Sequence, residues 1–192
     1  MNLQGNSVDR TADGPGWIWD FGTAYRVARA LEDVGAGWVE EPFGRGEVHE
    51  SARLNEVVDM PITGGEGDWD LEVFRKYLKY DSFEILQPDA FTAGGILNIK
   101  KIAAIAEAKH ITVAPHNVCS PVGAIAEMHL CASIVNFEIM EYHAEFYDSH
   151  YFDVCPGFPR QSGGCVELSS APGLGLKLND EVVAAHPPMM RT

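Results

Sequence analysis

The sequence predicts an α/β fold of repeated strand-and-helix units, and three observations carry that expectation. Short apolar runs ending in a polar residue recur along the chain, at Glu40, Glu66, Asp89, His116 and Glu141, with intervals of 26, 23, 27 and 25 residues. A helix-like stretch follows each of the first four. A repeat of that length accommodates one strand, one helix and two loops. Units of this kind give parallel strands joined by crossovers, hence an open doubly wound sheet or a barrel.

The elements follow in order. Asp20 can cap a helix from about Gly22 to Val34, in which Ala24, Val27, Ala28 and Leu31 form one apolar stripe. Gly35 ends it, and Gly37-Trp38-Val39-Glu40 reads as a strand that Pro42 stops. Neighbouring strand residues point to opposite sides, so only one of Glu40 and Glu41 can face a given pocket. A helix near Glu47 to Val58 precedes strand Pro61-Ile62-Thr63, which runs into Gly64-Gly65-Glu66. A helix from about Asp70 to Tyr80 leads to strand Phe83 to Gln87, then Pro88-Asp89. After Gly94-Gly95 comes the clearest helix, with Ile96, Ile99, Ile102, Ala103, Ile105 and Ala106 expected inside. Strand Ile111 to Ala114 ends at Pro115-His116-Asn117, a helix spans roughly Val122 to Ile134, and strand Phe137 to Met140 ends at Glu141. Beyond that the chain is aromatic and turn-rich, and Gly164 to Leu178 reads as short extended pieces around a Pro-Gly turn.

Length and charge bound the function. With 192 residues the chain can bury a sizeable core but falls short of the roughly 250 typical of a closed eight-fold barrel. Its 28 acidic against 14 basic residues, net charge -14, argue against nucleic acid and against an anionic membrane as partners. The four cysteines lack metal-ligand or redox spacing and read as free thiols in a reducing compartment. No apolar run approaches the ~18 residues of a membrane span, and residues 1 to 16 hold no signal-like apolar stretch, so a soluble cytoplasmic protein is expected.

In a barrel, functional groups gather at the C-terminal strand ends, where all five recurring residues would sit. Glu40 and Glu66 on adjacent tips would turn carboxylate oxygens into one mouth, a donor set suited to Mg²⁺. Asp13, 27 residues before Glu40, is the candidate third ligand, with Asp9 as its substitute. His116 follows one unit after Asp89, and a carboxylate facing an imidazole fixes its tautomer and raises its pKa, as proton transfer near neutral pH requires. Glu141 on the next tip could hydrogen-bond an oxygen that gains charge during reaction. His49, His110, His129, His150 and His186 read as ordinary structural or surface residues.

WVEEPF, GGE, QPDAFTAGG, APHN and IMEYH, in this order and spacing from about Asp13 to about Leu178, resemble the barrel domain of the enolase superfamily, specifically its mandelate racemase and acid-sugar dehydratase subgroup. The resemblance implies an incomplete TIM (β/α) barrel of about six parallel units, strands three to eight, over residues 17-143. It also implies an irregular segment at 1-16 and a C-terminal extension at 144-192 that would pack on a capping domain the chain lacks. Residue by residue, Asp13, Glu40 and Glu66 match the family's Mg²⁺ ligands, Asp89 and His116 its catalytic dyad, and Glu141 its strand-eight carboxylate. Around the first ligand the family's Asp-x-Asn is replaced by Asp13-Gly14-Pro15, and no Lys-x-Lys pair occurs. The implied reaction is abstraction of the proton α to a carboxylate by His116, with Mg²⁺ stabilising the enediolate as in enolase-superfamily sites generally, followed by dehydration of a sugar acid. A racemase, epimerase or cycloisomerase on the same scaffold, and an inactive truncated remnant that only binds metal or partner chains, are the alternatives. Open strand edges point to a homo-oligomer.

Overall fold

The computed structural model describes residues 19–142 and 151–187. Five helices alternate with four strands in its first part: α1 Phe21–Asp33, β1 Val39–Glu40, α2 Val48–Asn55, β2 Ile62–Gly64, α3 Leu71–Tyr80, β3 Ile85–Leu86, α4 Ile96–Glu107, β4 Thr112–Val113 and α5 Pro121–Cys131. Helix starts follow from local chemistry. The Asp20 side chain accepts the Thr23 backbone N–H at 2.8 Å, Asp70 accepts that of Glu72 at 2.9 Å, and Ser120 caps α5 with Pro121 in its first turn. Helix α3 stops where Asp81 turns left-handed, at φ 53°.

The four strands are parallel and lie in chain order, β1-β2-β3-β4, with Val39 opposite Ile62, Thr63 opposite Ile85 and Leu86 opposite Val113. Helices consecutive in the chain pack on one another. A doubly wound sheet reverses strand order at a switch point and places helices on both faces. This sheet has no reversal, so of the two architectures it is the barrel wall, with the helices as an outer ring. Leu54, Ile62, Phe74, Leu86, Ile99, Ile102, Val113 and Leu130 are completely buried between the layers. Their alternation between strand and helix makes one continuous core, and each contributes about 1.5–3 kcal/mol on leaving water.

Several expectations change in detail. The paired parts of the strands are only two or three residues long. The run Phe137 to Met140 makes a single parallel bridge, Phe137 to Val113, rather than a strand. Phe137 and Ile139 remain 40% exposed, since no further strand among the described residues lies beyond them. Among the described residues the parallel sheet therefore holds four paired strands and one bridge, where the resemblance implied about six units; the unit around Asp13 lies outside them. Ile96, expected inside, is 37% exposed at the first position of α4, before the helix's buried positions Ile99, Ile102, Ala103 and Ala106.

The later segment contains a short helix α6 Phe152–Val154, a hairpin β5 Gln161–Ser162 with β6 Cys165–Val166, and α7 Asp180–Ala185. The hairpin turns at Gly163-Gly164, both at positive φ, ahead of the Pro-Gly turn the sequence suggested. Cys155, Phe158, Leu168, Leu174 and Leu176 pack against Ala124, Ile125 and Met128 of α5, so much of this segment's apolar surface has a partner within the chain. His129 adds a contact from its Nε2 to the Leu174 carbonyl at 3.2 Å. All four cysteines are free. No helix among the described residues is long and apolar enough to cross a membrane.

Candidate functional site

The ends of β1 and β2 sort two adjacent carboxylates to two tasks. Glu40 Oε2 accepts from Gln87 Nε2 at 2.8 Å and from Trp38 Nε1 at 3.4 Å. Glu41, at φ 39°, turns the other way and its Oε1 accepts the Gly65 backbone N–H at 3.1 Å. The strand pleat thus delivers Glu40 to the mouth while Glu41 braces the loop that carries Glu66. That loop lies flat on the Phe74 ring. A Cβ on Gly65 would meet Phe74 Cε1 at 2.8 Å, and its φ of +113° is in any case open only to glycine.

Glu66, Asp89, His116 and Glu141 converge. Asp89, 3% exposed, accepts the N–H groups of Phe91 at 2.6 Å and Thr92 at 3.2 Å on Oδ1, and its Oδ2 lies 2.8 Å from His116 Nδ1. The other ring nitrogen, Nε2, is 3.2 Å from Glu66 Oε2 and 3.8 Å from Glu141 Oε2. Glu141 is itself held by the Asn117 backbone N–H at 3.0 Å. With Nδ1 committed to Asp89, Nε2 is the atom free to exchange a proton with a bound molecule. Burial alone would lower the His116 pKa. The bond to Asp89 and the charges of Glu66 and Glu141 outweigh that and raise it to about 9.

Glu40 and Glu66 are both pushed above the usual carboxylate range, first by burial and then by neighbouring acids: Glu141 for Glu40, and Glu40 and Glu141 for Glu66. A mouth crowded with desolvated carboxylate oxygens fits a hard divalent cation, whose charge would relieve that repulsion. Glu40 and Glu66 are the residues here that would hold it. Among the described residues no group of three or more His, Cys, Asp or Glu side chains is arranged to hold a metal ion, and Asp13, the expected third ligand, lies outside them.

Three further residues join the site without having been picked out from the sequence. Gln87, 1% exposed, sits just before the Pro88-Asp89 pair and holds Glu40 by its amide. Arg45, largely exposed, comes within 3.9 Å of Glu66 Oε1. Glu127 is buried in α5, where its Oε2 accepts the Ala90 N–H at 2.9 Å. The available signal for Glu127 was its company: apart from His129 it is the only ionisable side chain from Pro121 to Leu130.

The enolase C-terminal domain-like family model matches residues 5–182. A D-xylonate dehydratase of Haloferax volcanii is 34% identical over 176 residues, covering 88% of this chain and 41% of its own length. A D-gluconate/D-galactonate dehydratase of Picrophilus torridus is 29% identical, covering 85% of this chain and 42% of its own. Among solved structures, a mandelate racemase/muconate lactonizing enzyme-like protein of Rubrobacter xylanophilus superposes with a TM-score of 0.81 at 36% identity, over 88% of this chain and 43% of that one. The chain thus spans about two fifths of the length of these relatives. By matched length and by fold, it belongs to the enolase C-terminal domain-like family.

Proposed function

We propose that this chain carries the base and three metal-holding carboxylates of a Mg²⁺-dependent hydro-lyase that dehydrates a sugar acid. The observation that supports the reading best is the two-sided setting of His116, with Nδ1 on Asp89 and Nε2 facing Glu66 and Glu141. The relatives named as sugar-acid dehydratases favour dehydration over other outcomes of α-proton removal.

A proton α to a carboxylate is barely acidic, and bound Mg²⁺, held by Glu40, Glu66 and Asp13, would supply Lewis-acid stabilisation of the charge that develops on the substrate carboxylate. His116 takes the α proton on Nε2, and Asp89 keeps the ring in place and stabilises the imidazolium that forms. The same imidazolium returns a proton to the departing β-hydroxyl, which leaves as water. The enol left behind becomes a 2-keto-3-deoxy acid. Glu141 is placed to hydrogen-bond a substrate hydroxyl beside the reacting carbon.

The test incubates the chain with MgCl₂ in D₂O and D-xylonate, D-gluconate or D-galactonate, and follows both 2-keto-3-deoxy acid and deuterium at the α carbon. Product from the parent and none from His116→Asn supports dehydration. Deuterium incorporation without product would replace it by a racemase or cycloisomerase reading, and neither signal by a remnant that only binds.

A further inference from the structure

The turn that presents Asp89 is gripped from two sides. Its three successive backbone N–H groups are divided between two carboxylates: Ala90 donates to Glu127 Oε2 at 2.9 Å, while Phe91 and Thr92 donate to Asp89 Oδ1 at 2.6 and 3.2 Å. The turn is closed by Ala93 N–H to the Asp89 carbonyl at 2.7 Å, and tied across the mouth by Thr92 Oγ1 to the Glu66 carbonyl at 2.6 Å. Glu127 comes from α5, an element separate from the turn, and is 1% exposed. Its second oxygen, Oε1, is buried with no hydrogen-bond partner among the described residues.

A buried carboxylate with one donor is badly placed to stay ionised, above all next to a second carboxylate. Among the described residues Asp89 has three partners, the N–H groups of Phe91 and Thr92 and the His116 ring, whereas Glu127 has one. The negative charge therefore belongs on Asp89. We propose that Glu127 is a positioning residue for the Asp89–His116 pair, its uncharged carboxyl clamping the 89–92 turn so that, of the two carboxyls gripping that turn, only that of Asp89 is charged and faces the imidazole Nδ1.

The titratable groups around Glu127 agree with this. Burial pushes its pKa up to about 8; Asp89 adds to the rise, while the Ala90 N–H and His116 oppose it. The thiols of Cys119, just before α5, and Cys131, at its end, are the other titratable groups that feel its charge. Neither offers it a compensating cation.

The claim rests on the proposed role of His116, but its test needs no turnover. The ¹³C,¹⁵N-labelled chain is observed by NMR in EDTA, as parent, Glu127→Gln and Glu127→Leu. In the parent, the Glu127 carboxyl carbon stays in its protonated form through neutral pH and titrates near 8. Glu127→Leu, which cannot accept from Ala90, speeds amide exchange at Phe91 and Thr92 by about tenfold, as loss of one hydrogen bond would. It also broadens the downfield Nδ1 proton of His116. Glu127→Gln keeps the acceptor and restores both signals, an outcome that mere filling of space would not give. If Glu127→Leu does not fold, Glu127→Asp, whose shorter reach also loses Ala90, takes its place. Titration of Glu127 with ordinary carboxylates, or turn amides and a His116 signal unchanged in the Leu or Asp variant, would overturn the proposal. Absence of dehydratase product alongside the expected NMR result would remove the hydro-lyase reading and leave this one standing.

Discussion

The imidazole of His116 is suspended between two acids, Asp89 Oδ2 at 2.8 Å from Nδ1 and Glu66 Oε2 at 3.2 Å from Nε2. Buried histidines ordinarily lose basicity, and here the bond to Asp89 together with the charges of Glu66 and Glu141 reverses that. Asp89→Asn removes one charge and the tautomer lock. The His116 pKa should fall from about 9 toward its ordinary 6.5, read from the ring carbons by NMR. Deuterium exchange at a substrate α carbon should slow by about 10²–10⁴-fold. An unchanged pKa would mean that Asp89 does not control the ring.

The same shift sets a sign for stability against pH. The His116 pKa is raised on folding, so its contribution is complete below about 6.5 and is lost as pH climbs through about 9. Glu127, raised to about 8 by burial, acts in the same direction, since the folded chain holds its proton longer than the unfolded one. Urea unfolding of the chain in EDTA should therefore give a free energy that declines steadily from mildly acidic pH to pH 9. A profile that rises over that interval would contradict the buried setting of both groups.

Gln87 holds Glu40 by its amide N–H at 2.8 Å, and its own carbonyl oxygen is buried without a hydrogen-bond partner among the described residues. Partners that orient a ligand contribute about 10–100-fold to metal affinity. Gln87→Leu should weaken Mg²⁺ binding by about that factor, measured by calorimetry, while leaving the circular dichroism spectrum intact. Full affinity in the variant would show that Glu40 needs no help to point into the mouth.

Gly65→Ala tests how Glu66 is delivered. The new methyl would press on Phe74, a completely buried ring, in a backbone conformation that disfavours any side chain. A loss of about 1–3 kcal/mol is expected in thermal or urea unfolding. Alanine tolerated without cost would mean that the loop can lift off the ring.

Much of the fold was legible because its signals are local and repeated. Asp20 and Asp70 mark helix starts, and Val39-Glu40, Ile62-Thr63 and Ile85-Leu86 are short apolar runs that end in polar residues. Asp89 and His116 were legible as a pair because each closes such a run one unit apart, and parallel register then brings them together. Choosing between a doubly wound sheet and a barrel wall required strand order, which no single unit encodes. Gln87 and Glu127 were not legible for a related reason. Their roles are contacts across 47 and 37 residues of chain, made by side chains whose local settings, a strand end and an apolar helix, predict only burial. Phe137 to Met140 has strand composition, yet a strand forms only where neighbours supply a continuous ladder, and among the described residues Val113 alone bridges to it.

Glu40 and Glu66 are proposed to share one divalent cation beside His116, and calorimetric titration of the chain with MgCl₂ decides whether they do. One Mg²⁺ per chain for the parent, lost in both Glu40→Gln and Glu66→Gln, is the predicted result. No binding by the parent, or binding that survives both substitutions, would contradict it.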